Sequence, residues 1–199
     1  MTRMMPISEP MFPVYQPTPS PGFSFSTFPF NIRVHPLLDG DGGNTNDLRF
    51  DLSSPIFAPQ RWTGRSTAEM FVLLSGEELA QRATQPPISG LRIICDMIPQ
   101  WPIDLFLPQM QYAQLHDVLL AIFRALHKRI THVDWVALNT EEAHAITRAF
   151  QTRCASCGSA ELAAIARNDG VKRVDYLREK IWFRGLVPLD GNVMKMVLG

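Results

Sequence analysis

The sequence predicts an α+β fold, in which an antiparallel β-sheet has a central block of amphipathic helices packed on one face. Strand-like patterns occupy the early part of the chain and its end, whereas the middle has helical periodicity. Strands, then helices, then strands are typical of a sheet whose helices gather on one side. We expect a single globular α+β domain over residues 35–199, preceded by a disordered Pro/Phe-rich tail over residues 1–34.

Residues 1–34 differ in composition from the rest of the chain. Seven prolines interrupt any helix or central strand there, and the only charged residues are Arg3, Glu9 and Arg33. Six aromatic residues are interleaved with Ser, Thr and Pro, so the segment cannot bury enough surface to offset its ordering entropy. We expect the tail to be disordered and dispensable for folding. The alternative is that its phenylalanines pack on the domain or on a partner.

The first predicted strands follow a loop rich in glycine, aspartate and asparagine over residues 39–46. Residues 48–52 alternate apolar and polar side chains, as a half-buried strand does. Residues 91–98 and 103–107 predict two strands that a proline-containing turn joins into a hairpin-like pair. Between them and the first strand, residues 66–84 predict a short helix or irregular structure.

The helical block begins at Leu115. Apolar residues there recur at the spacing of one helix face, and they are Leu115, Val118, Leu119, Ile122, Phe123 and Leu126. Thr131 and Asn139 each precede an acidic residue by three positions and predict the starts of two more helices. Residues 161–167 add one or two turns before a stop at Gly170, and two closing strands flank a turn over residues 189–192.

Composition limits the compartment and the partners. Basic and acidic residues number 19 each, which argues against a general polyanion-binding protein and makes nucleic acid an unfavoured partner. Three cysteines do not make a disulfide framework. No apolar run has the length of a signal peptide or a membrane span. We therefore expect a cytoplasmic or nuclear protein with no membrane partner, and the low net charge is compatible with a homo-oligomer.

The cysteines and histidines predict no metal, redox or cofactor site. Cys154 and Cys157 have CxxC spacing, but they fall at a helix C-terminus, where the helix dipole disfavours a thiolate. A zinc site needs about four ligands, and only Cys95 remains. The histidines of the helical block lack the i, i+4 spacing of a helical metal site, so we expect capping or surface roles. They are His116, His127, His132 and His144.

One polar cluster is a candidate site, made of Arg148, Arg153, Arg173 and Asp175. Arg153 ends a predicted helix, and Asp175 opens the segment that leads into the closing strands. Two arginines beside a carboxylate can bind an anion or a partner, or they can form a buried ion-pair network. We expect the structural network, with Asp175 tied to Arg153 or Arg173. The sequence assigns no catalytic residue.

Several motifs occur in one order along the chain. They are His35-Pro-Leu-Leu38, the strand of residues 48–55, Ala83-Thr-Gln-Pro-Pro87, residues 118–122, residues 149–154, residues 170–177 and Phe183-Arg-Gly-Leu186. This combination resembles a domain family of unknown function from basidiomycetes, the mushroom-forming fungi, over residues 35–198. The resemblance implies a fungal origin and a disordered N-terminal extension, but no activity. Gln100 departs from the pattern, because similar sequences have the neighbouring proline and tryptophan adjacent.

The sequence leaves three classes of function open. The leading one is a non-enzymatic interaction or adaptor domain that binds another protein. The alternative is a small-molecule-binding protein, or a cofactor-independent enzyme, with its site near Arg153, Arg173 and Asp175. A weaker alternative is nucleic-acid binding through the basic stretch of residues 167–184. A deep polar pocket beside Arg153 and Arg173 would favour the small-molecule class, and a flat apolar patch would favour the adaptor.

Overall fold

The computed structural model describes residues 32–41, 47–64, 71–108 and 110–199. The strands of the described chain are β1 (Arg33–Val34), β2 (Leu48–Asp51), β3 (Gln60–Trp62), β4 (Phe71–Leu73), β5 (Thr84–Gln85), β6 (Gly90–Ile94), β7 (Ile103–Phe106), β8 (Trp182–Pro188) and β9 (Val193–Leu198). The α-helices are α1 (Gly76–Leu79), α2 (Leu115–Leu126), α3 (His132–Val136), α4 (Thr140–Ala155) and α5 (Ala160–Asp169). Two 3₁₀ helices span Pro36–Leu38 and Arg173–Leu177. The predicted α+β class is confirmed.

The main sheet has seven strands in the order β4–β3–β2–β8–β9–β6–β7. Its neighbours are antiparallel except β6 and β9, which run in the same direction with Ile93 opposite Met194. The predicted pairing of residues 91–98 with 103–107 is confirmed as β6 and β7. The first of these strands is shorter than predicted, because the chain turns after Ile94 and the N–H of Ile98 donates to the carbonyl of Cys95.

Helix α2 has the predicted bounds and supplies much of the core. Five apolar residues of its stripe are buried, and Phe123 is half-buried against the ring of Phe50 on β2. Burying one leucine or isoleucine side chain contributes about 1.5–3 kcal/mol relative to exposing it. The carboxylate of Asp117 accepts from the N–H of Gln114 at 3.0 Å and caps the first turn.

The predicted caps of the next two helices are present. The Thr131 hydroxyl accepts from the N–H of Asp134 and starts α3, while the Asn139 side chain accepts from the N–H of Glu142 at 2.9 Å and starts α4. Helix α5 is longer than the predicted 161–167 turns, because Ser159 caps it one residue before Ala160. It ends where Gly170 has a φ of 74°, which favours glycine.

The described chain begins three residues before the predicted domain boundary. Arg33 and Val34 pair with Gln85 and Thr84, which joins β1 to β5 in a separate two-stranded sheet. Ile32 and Val34 also pack against the core. The rest of the predicted tail, most of the loop at residues 39–46 and part of the 66–84 segment lie outside the described residues. Within 71–84, the chain forms β4, the short helix α1 and the start of β5.

The first prediction concerns the N-terminal segment. Deleting residues 1–31 should leave the melting temperature within about 2 °C of the full chain, because that composition offers little for stable packing. Deleting residues 1–34 should lower it further, since this removes β1 and the core contacts of Ile32 and Val34. Thermal unfolding followed by circular dichroism compares the two truncations. A loss well above 2 °C in the 1–31 truncation would show that the deleted phenylalanines dock on the domain.

Candidate functional site

A buried ion pair joins the end of α4 to the 3₁₀ helix at residues 173–177. The Arg153 Nε donates to Asp175 Oδ1 at 2.7 Å, and the Arg153 Nη2 donates to Asp175 Oδ2 at 2.8 Å. Nη2 also donates to the carbonyl of Gly170 at 3.1 Å, and the N–H of Lys172 donates to Asp175 Oδ2 at 2.8 Å. The two side chains are only 7% and 1% exposed, so this is a two-point interaction sealed from solvent.

Local rules of helix structure place both partners. Arg153 lies in the last turn of α4, where a cation suits the helix dipole, and its guanidinium lies 5.4 Å from the centre of the Phe150 ring. Asp175 lies in the first turn of its 3₁₀ helix, where its carboxylate caps the N–H of Lys172. Burial alone would lower the pKa of Arg153, but the hydrogen bond and charge of Asp175 raise it overall, so the side chain stays cationic.

The structure leaves Arg173 and Arg148 out of this pair. Arg173 and Asp175 are two residues apart on a 3₁₀ helix, so their side chains point about 120° away from one another. The Arg173 guanidinium instead lies 4.8 Å from the centre of the Trp101 ring. Its Nε is buried and has no hydrogen-bond partner within the described chain. Of the four residues in the predicted cluster, Arg153 and Asp175 form a buried pair. Arg148 is exposed on α4, and Arg173 stacks on an aromatic ring.

A groove with a volume of about 1030 Å³ runs along α4 beside the ion pair. One wall is the face of α4 that carries Ala145, Arg148, Ala149, Thr152, Arg153 and Ser156. The opposite wall is the segment 177–181, which connects the 3₁₀ helix to β8, together with Asp51 and Ser53 at the end of β2. The lining is mixed, because charged side chains alternate with apolar ones such as Met97 and Ile181. The groove lies beside Arg153, whereas Arg173 does not line it.

Two carboxylates of the groove, Asp175 and Asp51, accept hydrogen bonds within the protein, whereas the cations at the rim have no partner within the described ranges. Asp175 accepts from Arg153, and Asp51 Oδ1 accepts from the N–H and the hydroxyl of Ser53 at 2.8 and 2.7 Å. The rim carries three cations whose side chains form no ion pair or hydrogen bond with another described residue. These are Arg148, Arg178 and Lys180. Glu179 is the remaining rim carboxylate, so the rim has an excess of positive charge.

Arg153 keeps a donor for the groove. Its Nε and Nη2 are engaged by Asp175 and Gly170, whereas Nη1 has no partner among the described residues. Nη1 is also not among the side-chain nitrogen and oxygen atoms of the described chain that are fully sealed without a hydrogen-bond partner. Nη1 is therefore not fully sealed, and Arg153 lines the groove.

Arg178 occupies a backbone conformation that favours glycine. Its φ is 56° and its ψ is −113°, where a side chain costs stability. The residue lies within the stretch 167–184 that the sequence marks as basic, yet nothing in its sequence neighbours signals a positive φ. An arginine held at this position, on the rim of a groove, points to a role for the side chain outside folding.

His127 connects the end of α2 to the loop that follows β2. Its Nδ1 lies 2.9 Å from the carbonyl oxygen of Phe123, and its Nε2 lies 3.0 Å from the carbonyl oxygen of Ser54. Burial lowers the pKa of His127 and outweighs the contacts with the carbonyls of Phe123 and Ser54, which raise it; the charges of Lys172 and Arg153 lower it further. The structure thus gives His127 a helix-capping contact and also a long-range one, while His132 and His144 are exposed.

The structure also places the cysteines that the sequence singled out. The described cysteines are free thiols, and the Cys157 Sγ donates to the carbonyl of Arg153 at the end of α4. Burial raises the pKa of Cys154, as an unreactive thiol requires. Across the described ranges, no group of three histidine, cysteine or acidic side chains could hold a metal ion. The helices of those ranges are also too short or too polar to cross a membrane.

The mainly antiparallel sheet, the helical block and the groove define an α+β fold with an open groove beside a buried ion pair. A family model matches residues 47–193, and the chain belongs to that family, whose description is "Family of unknown function (DUF6699)". The resemblance to a family of unknown function is thereby confirmed over these residues. Comparison with curated proteins found no match, and neither did comparison with solved structures.

The second prediction tests the buried pair. Asp175→Ala leaves the Arg153 guanidinium buried without a counter-charge, so it should lower the free energy of unfolding by about 3–5 kcal/mol. Replacing both partners by apolar residues, as Arg153→Met with Asp175→Leu, should recover most of that loss. Urea unfolding measures both variants. The matched control is Asp104→Ala, which breaks the exposed pair with Arg92 and should cost about 0–1 kcal/mol. A similar small cost for Asp175→Ala would contradict the prediction.

The third prediction concerns pH. Because the pKa of His127 is lowered in the folded state, the unfolded chain takes up a proton first as the pH falls through about 6.5. Its contribution to stability is therefore complete above that pH and is lost on acidification. Melting temperatures measured from neutral to mildly acidic pH should fall less steeply for His127→Gln than for the wild type. His144→Gln, which changes an exposed ring, should keep the wild-type slope, and an unchanged slope in His127→Gln would refute the idea.

Proposed function

We propose that this chain is a binding protein that holds an anionic ligand in the groove between α4 and residues 177–181. The observation that carries the proposal is the Nη1 of Arg153, a donor without a described hydrogen-bond partner on a side chain that is only 7% exposed and lines the groove. Around it stand Arg148, Arg178 and Lys180, which have no partner among the described residues. A groove with several charged side chains beside Arg153, rather than a flat apolar patch, supports the ligand-binding class that the sequence leaves open.

Binding is favoured over catalysis by the state of the carboxylates. A general base must be able to accept a proton from a bound substrate. Asp175 already accepts hydrogen bonds from Arg153 and Lys172, and Asp51 accepts two from Ser53. Both carboxylates are therefore already used in hydrogen bonds that stabilise the walls of the groove. Glu179 lies on the exposed rim and lacks the burial that shifts the pKa of a catalytic acid or base.

Nucleic-acid binding through residues 167–184 has weaker support. The basic residues of that stretch do not form one continuous cationic surface. Lys172 pairs with Asp169 at 3.1 Å, and Arg173 stacks on Trp101. The chain as a whole has equal numbers of basic and acidic residues. Phosphate-backbone binding depends on several cations acting together without such partners.

The proposal retains several expectations from the sequence. The resemblance supports a fungal origin, and the cysteine content supports a cytoplasmic or nuclear location. A single domain behind an N-terminal tail, and association of copies, also stay proposals. An adaptor role is compatible with the groove when its anionic ligand belongs to another protein.

The fourth prediction separates binding from folding at Arg178. Arg178→Gly relieves the strained backbone and should raise the free energy of unfolding by about 1 kcal/mol. The same change removes a rim cation, so the affinity for succinate and inorganic phosphate should fall several-fold. Titrations followed by the NMR signal of the Arg153 side chain measure the affinity, and urea unfolding measures the stability.

The control for this experiment is Arg124→Gln, which removes an exposed cation of α2 that does not line the groove. It should leave the affinity for both anions unchanged. An equal loss in Arg124→Gln and Arg178→Gly would mean that only overall charge matters. Absence of any shift of the Arg153 signal with either anion would refute the proposed function.

A further inference from the structure

We infer that the anionic ligand of the groove is an acidic peptide segment of a partner protein, which lies extended along α4 with one carboxylate at the Nη1 of Arg153. This inference rests on the proposed function and names the ligand of the same site. It depends on three properties of the groove: its length, the size of the side chains on its α4 wall, and the distribution of its charges.

The groove is long for a small anion. Its α4 wall extends from Ala145 to Ser156, and at about 1.5 Å per residue this is roughly 16 Å of helix. An extended peptide rises about 3.3 Å per residue, so about five residues fit along the wall. The volume of about 1030 Å³ lies at the upper end of the about 300–1,000 Å³ that small-molecule sites occupy. A single carboxylate or phosphate would leave most of it filled with water.

The side chains of the α4 wall are mostly short. Ala145, Ala149, Thr152 and Ser156 face the groove at intervals of three or four residues. Short side chains let the backbone of another chain come close to the helix. The hydroxyl of Thr152 has no hydrogen-bond partner within the described chain, and it can therefore serve a peptide N–H or C=O group.

The charges of the groove fit spaced carboxylates better than a dense polyanion. Arg148 stands on the α4 wall, whereas Arg178 and Lys180 stand on the opposite wall with Glu179 between them. A carboxylate between two cations repels closely spaced phosphates, but it tolerates a chain whose acidic side chains are separated by neutral ones. At the bottom, Arg153 offers one nitrogen, Nη1, which suits one carboxylate oxygen better than the three oxygens of a phosphate group.

The fifth prediction uses a blocked acidic peptide as the probe, acetyl-Gly-Glu-Gly-Asp-Gly-Glu-Gly-amide, with the full-length protein. It should bind at least about tenfold more tightly than glutarate, because the peptide backbone adds contacts along α4. The matched peptide with Gln and Asn in place of Glu and Asp should lose this binding. Isothermal titration calorimetry gives the affinities, and the NMR signal of the Arg153 side chain reports whether the anion reaches the groove.

A variant at the far end of the groove separates the peptide from the anion. Ala145→Trp fills the end of the groove eight residues from Arg153, so it should weaken the peptide at least about tenfold and weaken glutarate much less. Ala164→Trp, on the exposed face of α5, is the matched control and should change neither affinity. Circular dichroism and melting temperatures verify that both variants fold.

The possible results distinguish this inference from the proposed function. If glutarate shifts the Arg153 signal but the acidic peptide binds no better, the groove holds a small anion, and the peptide assignment is overturned. Unchanged peptide affinity in Ala145→Trp, or equal binding of the Gln and Asn peptide, also overturns it. If neither glutarate nor the peptide shifts the Arg153 signal, the proposed function itself fails.

Discussion

The Arg153–Asp175 pair is the interaction on which the arrangement of the C-terminal half depends. It ties the last turn of α4 to the 3₁₀ helix at residues 173–177, and its extra bonds fix the chain at Gly170 and Lys172 between them. That 3₁₀ helix leads directly into β8, which lies at the centre of the main sheet. One buried contact therefore sets the position of α4 relative to the sheet, and with it the two walls of the groove.

Stability alone does not account for a charge pair at this place. A buried ion pair is often no better than two well-packed apolar side chains, since desolvation offsets much of the attraction. An apolar pair could close the same junction, but it could not offer the groove a donor, as the Nη1 of Arg153 does. Arg178 leads to the same conclusion, because glycine would suit its backbone better. Under the proposed function, both residues supply positive charge along one groove.

Local patterns in the sequence predict the elements, whereas the groove depends on contacts between distant segments. The stripe of α2, the caps at Thr131 and Asn139 and the closing hairpin are set by residues a few positions apart, so their prediction succeeds. The apolar residues Cys95, Met97 and Ile98 continue the pattern of the strand, which hides the end of β6. The parallel pairing of β6 with β9 and the stacking of Arg173 on Trp101 join residues far apart in sequence. The sequence indicates Arg153 and Asp175 but cannot show which arginine Asp175 binds.

The walls of the groove are held by buried and part-buried contacts, whereas its rim cations have no such contacts with the described residues. Arg153 and Asp175 fix one side, Asp51 caps the backbone at Ser53, and His127 holds the carbonyl of Ser54 from the end of α2. The backbone of both walls is thus in place before any ligand arrives, which reduces the ordering cost of binding. Only the long rim side chains must still be ordered, and each costs about 0.5–1.5 kcal/mol when immobilised. A ligand with several spaced acidic groups can offset that cost at each cation in turn, whereas a single small anion offsets it only once.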